Sequence, residues 1–268
     1  MTKKYGNFKA LENVDLKIPS NQISCIVGMN GSGKTTLLRV LTGQNTISQG
    51  AVYYRKSGSD FILNSASFIT KAQKLAPVGR LSIGYCAQDN NLPPTLKISE
   101  IIDLFAALKH SSSLSKVESI LYIESLLDQL QLTSHLNARY QSLSVGAKRR
   151  VALLVALVNK PDLILLDEPV TGLDDESSRE FWNILNRLKG SHTMVVITHN
   201  ITSAQDTADY CGILHRGRLL RFSTLEALKE ETRGYIILRA RSDPHQPILL
   251  DPDHEQRALT LAANSYFT

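Results

Sequence analysis

Nine residues limit this chain more than any other stretch. Gly28, Met29, Asn30, Gly31, Ser32, Gly33, Lys34, Thr35 and Thr36 follow an apolar run, Gln22 to Val27, and lead into Thr35 to Leu41, where apolar residues recur at helical spacing. They fit G-x-x-x-x-G-K-[ST] in a strand–loop–helix setting, which is where that pattern cradles a triphosphate. Glycines let backbone N–H groups turn inward around phosphate oxygens, where a Cβ would obstruct them. The following helix N-terminus adds a partial positive charge. Lys34 is expected to reach the β- and γ-phosphates, and the Thr35 hydroxyl to ligate Mg²⁺. A chance glycine-rich turn is the alternative, and the flanking strand and helix weigh against it.

A second acidic motif agrees. Leu163 to Leu166 reads as a buried strand ending on Asp167 and Glu168, the end at which open α/β sheets place ligands. Asp167 suits the Mg²⁺ shell. Glu168, expected on the other face of the strand end, is the candidate to polarise the water attacking the γ-phosphate.

The rest of the chain alternates strand and helix patterns. Strands are expected at Ala51 to Tyr54, Leu81 to Ala87 and Met194 to Thr198, and helices at Val151 to Val158 and Ser177 to Leu188. This predicts an α/β fold with a mostly parallel sheet covered on both faces. Helical spacing without strands runs from Ile98 to Leu132, with a Ser-rich break at His110 to Ser113. The expected organisation is a core of residues 1–89 and 142–232, an inserted helical subdomain at 90–141, and a C-terminal strand and tail at 233–268. The strand is expected at Tyr235 to Leu238 and the tail or linker at Ser242 to Glu255. Lys56 to Arg80 reads as an irregular surface insertion. There is no internal repeat.

Composition narrows the class. A hydrophobic fraction of 43% against 21% charged residues fits a globular chain rather than a disordered one. No apolar run approaches the ~18 residues of a membrane helix; the longest, Val151 to Val158, stops at Asn159-Lys-Pro161. Met1 to Tyr5 leads into polar sequence, unlike a signal peptide. Cys25, Cys86 and Cys211 are scattered in apolar contexts and read as buried, reduced thiols of an intracellular protein, without metal-ligand spacing. A net charge of +5 is compatible with anionic ligands or an anionic membrane surface.

Four further segments resemble the ATP-binding-cassette (ABC) family, in that family's order, and the likeness spans residues 5 to 225. Gln88, closing Ile83-Gly-Tyr-Cys-Ala-Gln88, is similar to the Q-loop glutamine. Leu143-Ser-Val-Gly-Ala147 resembles the signature LSGGQ. Thr171-Gly-Leu-Asp174 resembles the D-loop, and Val196-Ile-Thr-His199 the switch histidine. Tyr5 resembles the aromatic that stacks on adenine. The resemblance implies a P-loop NTPase core of the ABC ATPase type, using ATP and Mg²⁺. It places Gln88 at the metal and attacking water, and His199 at the γ-phosphate, holding Glu168. It also implies a second ABC ATPase domain, docked head to tail so that Ser144 and Gly146 contact ATP on the partner's P-loop. Transmembrane permease domains would bind the chain at the cytoplasmic face of a membrane.

Residues 83–92 and 172–182 are similar to subfamily A transporters and drug-export ATPases, which implies movement of a lipid, drug or peptide. The alternatives are a soluble ABC ATPase without transport, or a weakly hydrolysing regulatory cassette. One P-loop and no sustained heptads speak against the first.

Two departures stand out. Only four residues precede Tyr5, so the chain is expected to be a segment of a longer transporter or to have a trimmed sheet edge. In the signature, Val145 replaces a glycine and Ala147 a glutamine, which reads as a weakened motif. Its main-chain donors remain available only if Val145 keeps a negative φ. Lys148, Arg149 and Arg150 then oppose the dipole of the helix they open. They are expected to face another chain's triphosphate or a neighbouring acidic surface. With no interleaved aromatics, a nucleic-acid partner is not expected.

Overall fold

The computed structural model describes residues 1–56, 59–65, 81–89, 92–108, 115–199 and 207–232. The expected strand at 235–238, the tail at 242–255 and the break at 110–113 lie outside these. In chain order the elements are β1 (Lys3–Tyr5), β2 (Phe8–Leu11), β3 (Ile23–Val27), α1 (Lys34–Leu41), β4 (Ala51–Lys56), β5 (Ser59–Ser65), β6 (Ile83–Cys86), α2 (Ile98–Leu108), α3 (Lys116–Gln129), α4 (Val145–Leu157), β7 (Leu163–Asp167), α5 (Asp175–Leu188), β8 (Thr193–Thr198), β9 (Tyr210–His215), β10 (Arg218–Thr224) and α6 (Leu225–Thr232).

The main sheet runs β10-β9-β3-β8-β7-β6. It is parallel from β9 to β6, and β10 joins antiparallel at the edge. Side-chain alternation divides its core. Cys25, Val27, Ile164, Leu166, Met194 and Val196 pack with α4 and α5. Ile26, Leu165, Val195 and Ile197 face the opposite way and pack with Leu37 and Leu38 of α1. Burial on both faces is why β3 and β7 are apolar without interruption.

Helix α4 is buried from Val151 to Val158, as expected for a helix apolar all round. It begins six residues earlier than its periodicity suggested, because Ser144 caps it: Oγ accepts from the Ala147 N–H at 3.2 Å. Helix α5 buries only one face, with Phe181, Trp182, Ile184, Leu185 and Leu188 inside. Each such burial is worth about 1.5–3 kcal/mol against an exposed side chain. The helical stretch α2–α3 is not a separate core: Ile98, Ile101, Leu126 and Leu130 join one cluster with Val151, Leu154 and Trp182. Its outer side leaves Leu108, Val117, Ile120 and Leu121 exposed.

Several expectations change. The start of the supposed insertion is a hairpin, β4 pairing antiparallel with β5; the apolar run Phe61-Ile-Leu63 was its strand signal. The segment after β8 adds β9, β10 and α6. The β9–β10 turn needs two positive φ values, 45° at Arg216 and 79° at Gly217, the twist that suits a two-residue hairpin. The three cysteines are buried and free, as expected. Burial pushes the Cys211 thiol up to about 12.

Gly84 allows the closest approach of sheet to helix. A Cβ there would lie 2.1 Å from the Ala156 carbonyl oxygen of α4. Gly84→Ala is therefore expected to cost at least about 1–3 kcal/mol of stability by overpacking, read as a lower urea midpoint.

His192, ahead of β8, is 3% exposed. Its Nε2 lies 3.3 Å from the Tyr122 hydroxyl of α3 and its Nδ1 3.4 Å from the Pro161 carbonyl. Burial holds its pKa below the ordinary 6.5, Lys160 adds to this, and the Pro161 carbonyl opposes it. Above pH 6.5 the imidazole is mostly neutral in both states. As pH falls through 6.5 the unfolded chain takes up the proton first, so stability falls. Urea unfolding at pH 7.5 and 5.5 is expected to show this loss, reduced in His192→Gln.

Candidate functional site

The C-terminal ends of β3, β7 and β8 converge on a cleft of about 560 Å³. Its walls include Phe8, Asn30, Gly31, Gly33, Lys34, Thr35, Thr36, Gln88, Asp167, Glu168, Thr171 and His199. The nine-residue loop forms one side. Gly31 and Gly33 hold φ of 79° and 107°, values that side chains resist. Gly33 is also pressed against β2: a Cβ would sit 2.6 Å from the Ala10 carbonyl. Gly28 is needed for packing, since its Cβ would meet Leu214 O at 2.2 Å and Ser32 Oγ at 2.6 Å. Ser32 is accordingly turned inward and buried, whereas Met29 is 69% exposed. Neither lines the cleft.

Helix α1 starts at Gly33 without a side-chain cap. Ser115, Ser144 and Asp174, by contrast, cap α3, α4 and α5. The first amides of α1 are thus left to an anionic ligand. Lys34 donates from Nζ to the carbonyls of Gly28 at 2.7 Å and Met29 at 3.1 Å, and lies 4.0 Å from Glu168. Burial lowers its pKa, against the raising influence of Glu168 and Asp167.

Asp167 and Glu168 both face this cleft. Strand alternation predicts opposite faces, and the reason for the difference is local: Glu168 takes φ 48°, an uncommon conformation for a side-chain-bearing residue. Its N–H donates to Ile197 O at 2.8 Å. The turn brings its carboxylate back beside that of Asp167. Burial raises the Asp167 pKa, the Glu168 charge raises it further, and Lys34 opposes them. Glu168 Oε2 is 2.9 Å from His199 Nδ1. Thr171 Oγ1 donates to the same oxygen at 3.3 Å. The sequence named Thr171 only as the first residue of the D-loop resemblance, with no role at Glu168; it stands three residues past Glu168, in a turn where its N–H returns to Glu168 O at 3.2 Å.

Tyr5 lies outside the cleft lining. Its hydroxyl accepts from Asn45 Nδ2 at 2.6 Å, and Lys3 Nζ stands 4.8 Å from its ring centroid. Phe8, paired with Tyr5 across the β1–β2 turn, is the aromatic that reaches the cleft and is 65% exposed. Tyr5 is held by Asn45, 40 residues away in sequence, a contact that was not legible in the sequence.

Ser144 and Gly146 are not part of this cleft's lining. Val145 is 56% exposed and opens α4 in helical conformation, so its φ is negative and the main-chain donors of the turn survive. Ser144 Oγ accepts from Ala147 and keeps its own hydrogen to donate. Ala147 is 2% exposed within the apolar cluster, so it has a packing role that a glutamine could not fill unchanged. Of the basic residues, Arg150 reaches the acidic Glu180 at 3.3 Å and Gln131 at 3.1 Å, and Lys148 stands over the Tyr140 ring. Arg149 donates to two backbone carbonyls, Gln88 O and, at 3.2 Å, Thr171 O. Asp174 caps α5 through the Ser177 N–H at 2.8 Å.

A family model described as ABC transporter matches residues 11–171. The chain is 34% identical over 227 residues to ABC transporter A family member 9 of Arabidopsis thaliana, covering 84% of this chain and 22% of that protein. It is 31% identical over 241 residues to a probable amino-acid ABC transporter ATP-binding protein of Sinorhizobium fredii, covering 87% of this chain and 93% of that one. A bacterial ABC transporter cassette solved as a dimer superposes with a TM-score of 0.66 at 29% identity, covering 84% of this chain and 96% of that chain. The same cassette is known in a dimeric post-hydrolysis state bound to ADP and Pi. The chain spans 22% or less of the length of the A-family relatives it matches first.

If Phe8 is the base platform, Phe8→Ala is expected to weaken nucleotide binding while Tyr5→Ala changes it little. Stacking on an aromatic is worth about 1–3 kcal/mol per base, or about 5- to 150-fold in Kd. Titration with a fluorescent ATP analogue measures both variants.

Proposed function

The chain belongs to the ABC transporter family as an ATP-binding, ATP-hydrolysing cassette, and from that premise we propose that it powers substrate movement through transmembrane permease domains. The observation that carries this is the buried set Lys34, Asp167 and Glu168 in one cleft, with His199 on the Glu168 carboxylate at 2.9 Å. Lys34 exchanges its loop carbonyls for the β- and γ-phosphates. Glu168 accepts the proton of the water that attacks the γ-phosphorus, the bond to the bridging oxygen breaks, and ADP and phosphate leave. His199 and Thr171 hold the carboxylate in place. Thr35, Asp167 and Gln88 offer hydroxyl, carboxylate and amide oxygens, hard ligands that fit Mg²⁺. When bound there, Mg²⁺ neutralises charge on the phosphate oxygens.

Two cassettes then dock head to tail, Ser144 and the Gly146 N–H reaching ATP on the partner's loop. The position of both residues outside their own cleft supports this, as does the free Ser144 hydrogen. ATP between two surfaces favours the closed pair, and its hydrolysis removes the bridge. Residues 90–141 act as the helical subdomain that meets the permease, at the cytoplasmic face; the exposed Leu108, Val117, Ile120 and Leu121 suit an apolar contact. No helix among the described residues is long and apolar enough to cross a membrane, so the path for substrate belongs to other segments. The likeness to A-family transporters favours a lipid, drug or peptide as cargo.

ATP turnover of the assembled transporter tests the reading. Removing a general base typically costs about 10²–10⁴-fold, and that loss is expected for Glu168→Gln, with Lys34→Ala also losing ATP affinity. Undiminished hydrolysis in both variants would sink it.

A further inference from the structure

Arg149 sits on the second turn of α4, five residues past the Ser144 cap. No carboxylate ion pair of its own is seen among the described residues. Its guanidinium instead forks to two neutral acceptors, the backbone carbonyls of Gln88 and Thr171. These lie on the loops that leave the adjacent parallel strands β6 and β7. Each loop carries a side chain of the nucleotide cleft: Gln88 on the first, Glu168 on the second. Thr171 is bound to Glu168 twice, N–H to O at 3.2 Å and Oγ1 to Oε2 at 3.3 Å.

We infer that Arg149 is a positioning residue that braces the Gln88 loop and the Glu168 turn of its own chain against the first turns of the signature helix. The inference rests on the reading of this cleft as an ATP hydrolase. Any displacement of α4 relative to the sheet is thereby passed to the general base and to Gln88 through one side chain. The brace needs a planar fork with separate donors for two acceptors; a lysine ammonium at the end of a flexible stem does not hold both carbonyls in one geometry. Loosening the two loops displaces the attacking water's base without touching the phosphate-binding loop. The loss therefore falls on kcat, not on ATP affinity.

The test compares Arg149→Ala and Arg149→Lys with wild type and Glu168→Gln in the full chain, within its transporter. Both Arg149 variants are expected to lose about tenfold in kcat, the scale at which small misplacements of reacting groups act, with KM for ATP within about twofold. Amide exchange is expected to quicken at residues 86–89 and 170–173 while β3, β7 and β8 keep their protection. A raised KM restored by lysine would overturn the inference, because it would place the charge on a partner's phosphate. Unchanged kcat and exchange would overturn it too, as would exchange quickened uniformly, the mark of a merely structural role. Turnover indifferent to Glu168→Gln would sink the hydrolase reading alone, since the exchange pattern reads the brace independently of turnover.

Discussion

Lys34, Asp167 and Glu168 bring one cation and two carboxylates into a single protein wall, all three less than 10% exposed. Buried charges persist only when each keeps a partner. Here the partners come from four places: the loop's own carbonyls for Lys34, the Tyr85 hydroxyl at 3.5 Å for Asp167, and His199 and Thr171 for Glu168. The arrangement can exist because parallel strands end together. β3 delivers the phosphate loop, β7 the two acids and β8 the histidine, side by side in the sheet.

The helices are fitted around this convergence. α1 is left uncapped where its amides meet the cleft, while α3, α4 and α5 carry serine or aspartate caps. α4 passes through the apolar cluster and packs the helical stretch against the sheet. The altered signature looks different in that light. Val145 is outward and helical, and Ala147 is a packing residue. The motif has changed its side chains while keeping its capped turn.

Much of the fold was legible because its signals are local. A glycine-rich loop between an apolar strand and a helix, and a strand ending in two acids, need only the chemistry of neighbouring residues. The elements that were missed carry weaker or masked signals. β5 was obscured by the polar stretch around it, β9 and β10 break the apolar pattern of the core strands and are held by pairing with β3 and each other, and α4's true start depended on a serine cap within a motif read for another purpose.

The sequence by itself determined the class of fold, because strand and helix patterns along one chain suffice for it; the loop and the two acids were read from their spacing, and the histidine from the family resemblance. Tertiary structure alone decided which aromatic lines the cleft: Phe8 does, while Tyr5 is engaged by Asn45, 40 residues away, and by Lys3. It decided that Glu168 shares a face with Asp167, through a positive φ that alternation does not foresee. It also decided the fate of the basic run after the signature. Arg149 and Arg150 are matched by acceptors 19 to 61 residues away in sequence, and contacts across such separations exist only once the chain has folded.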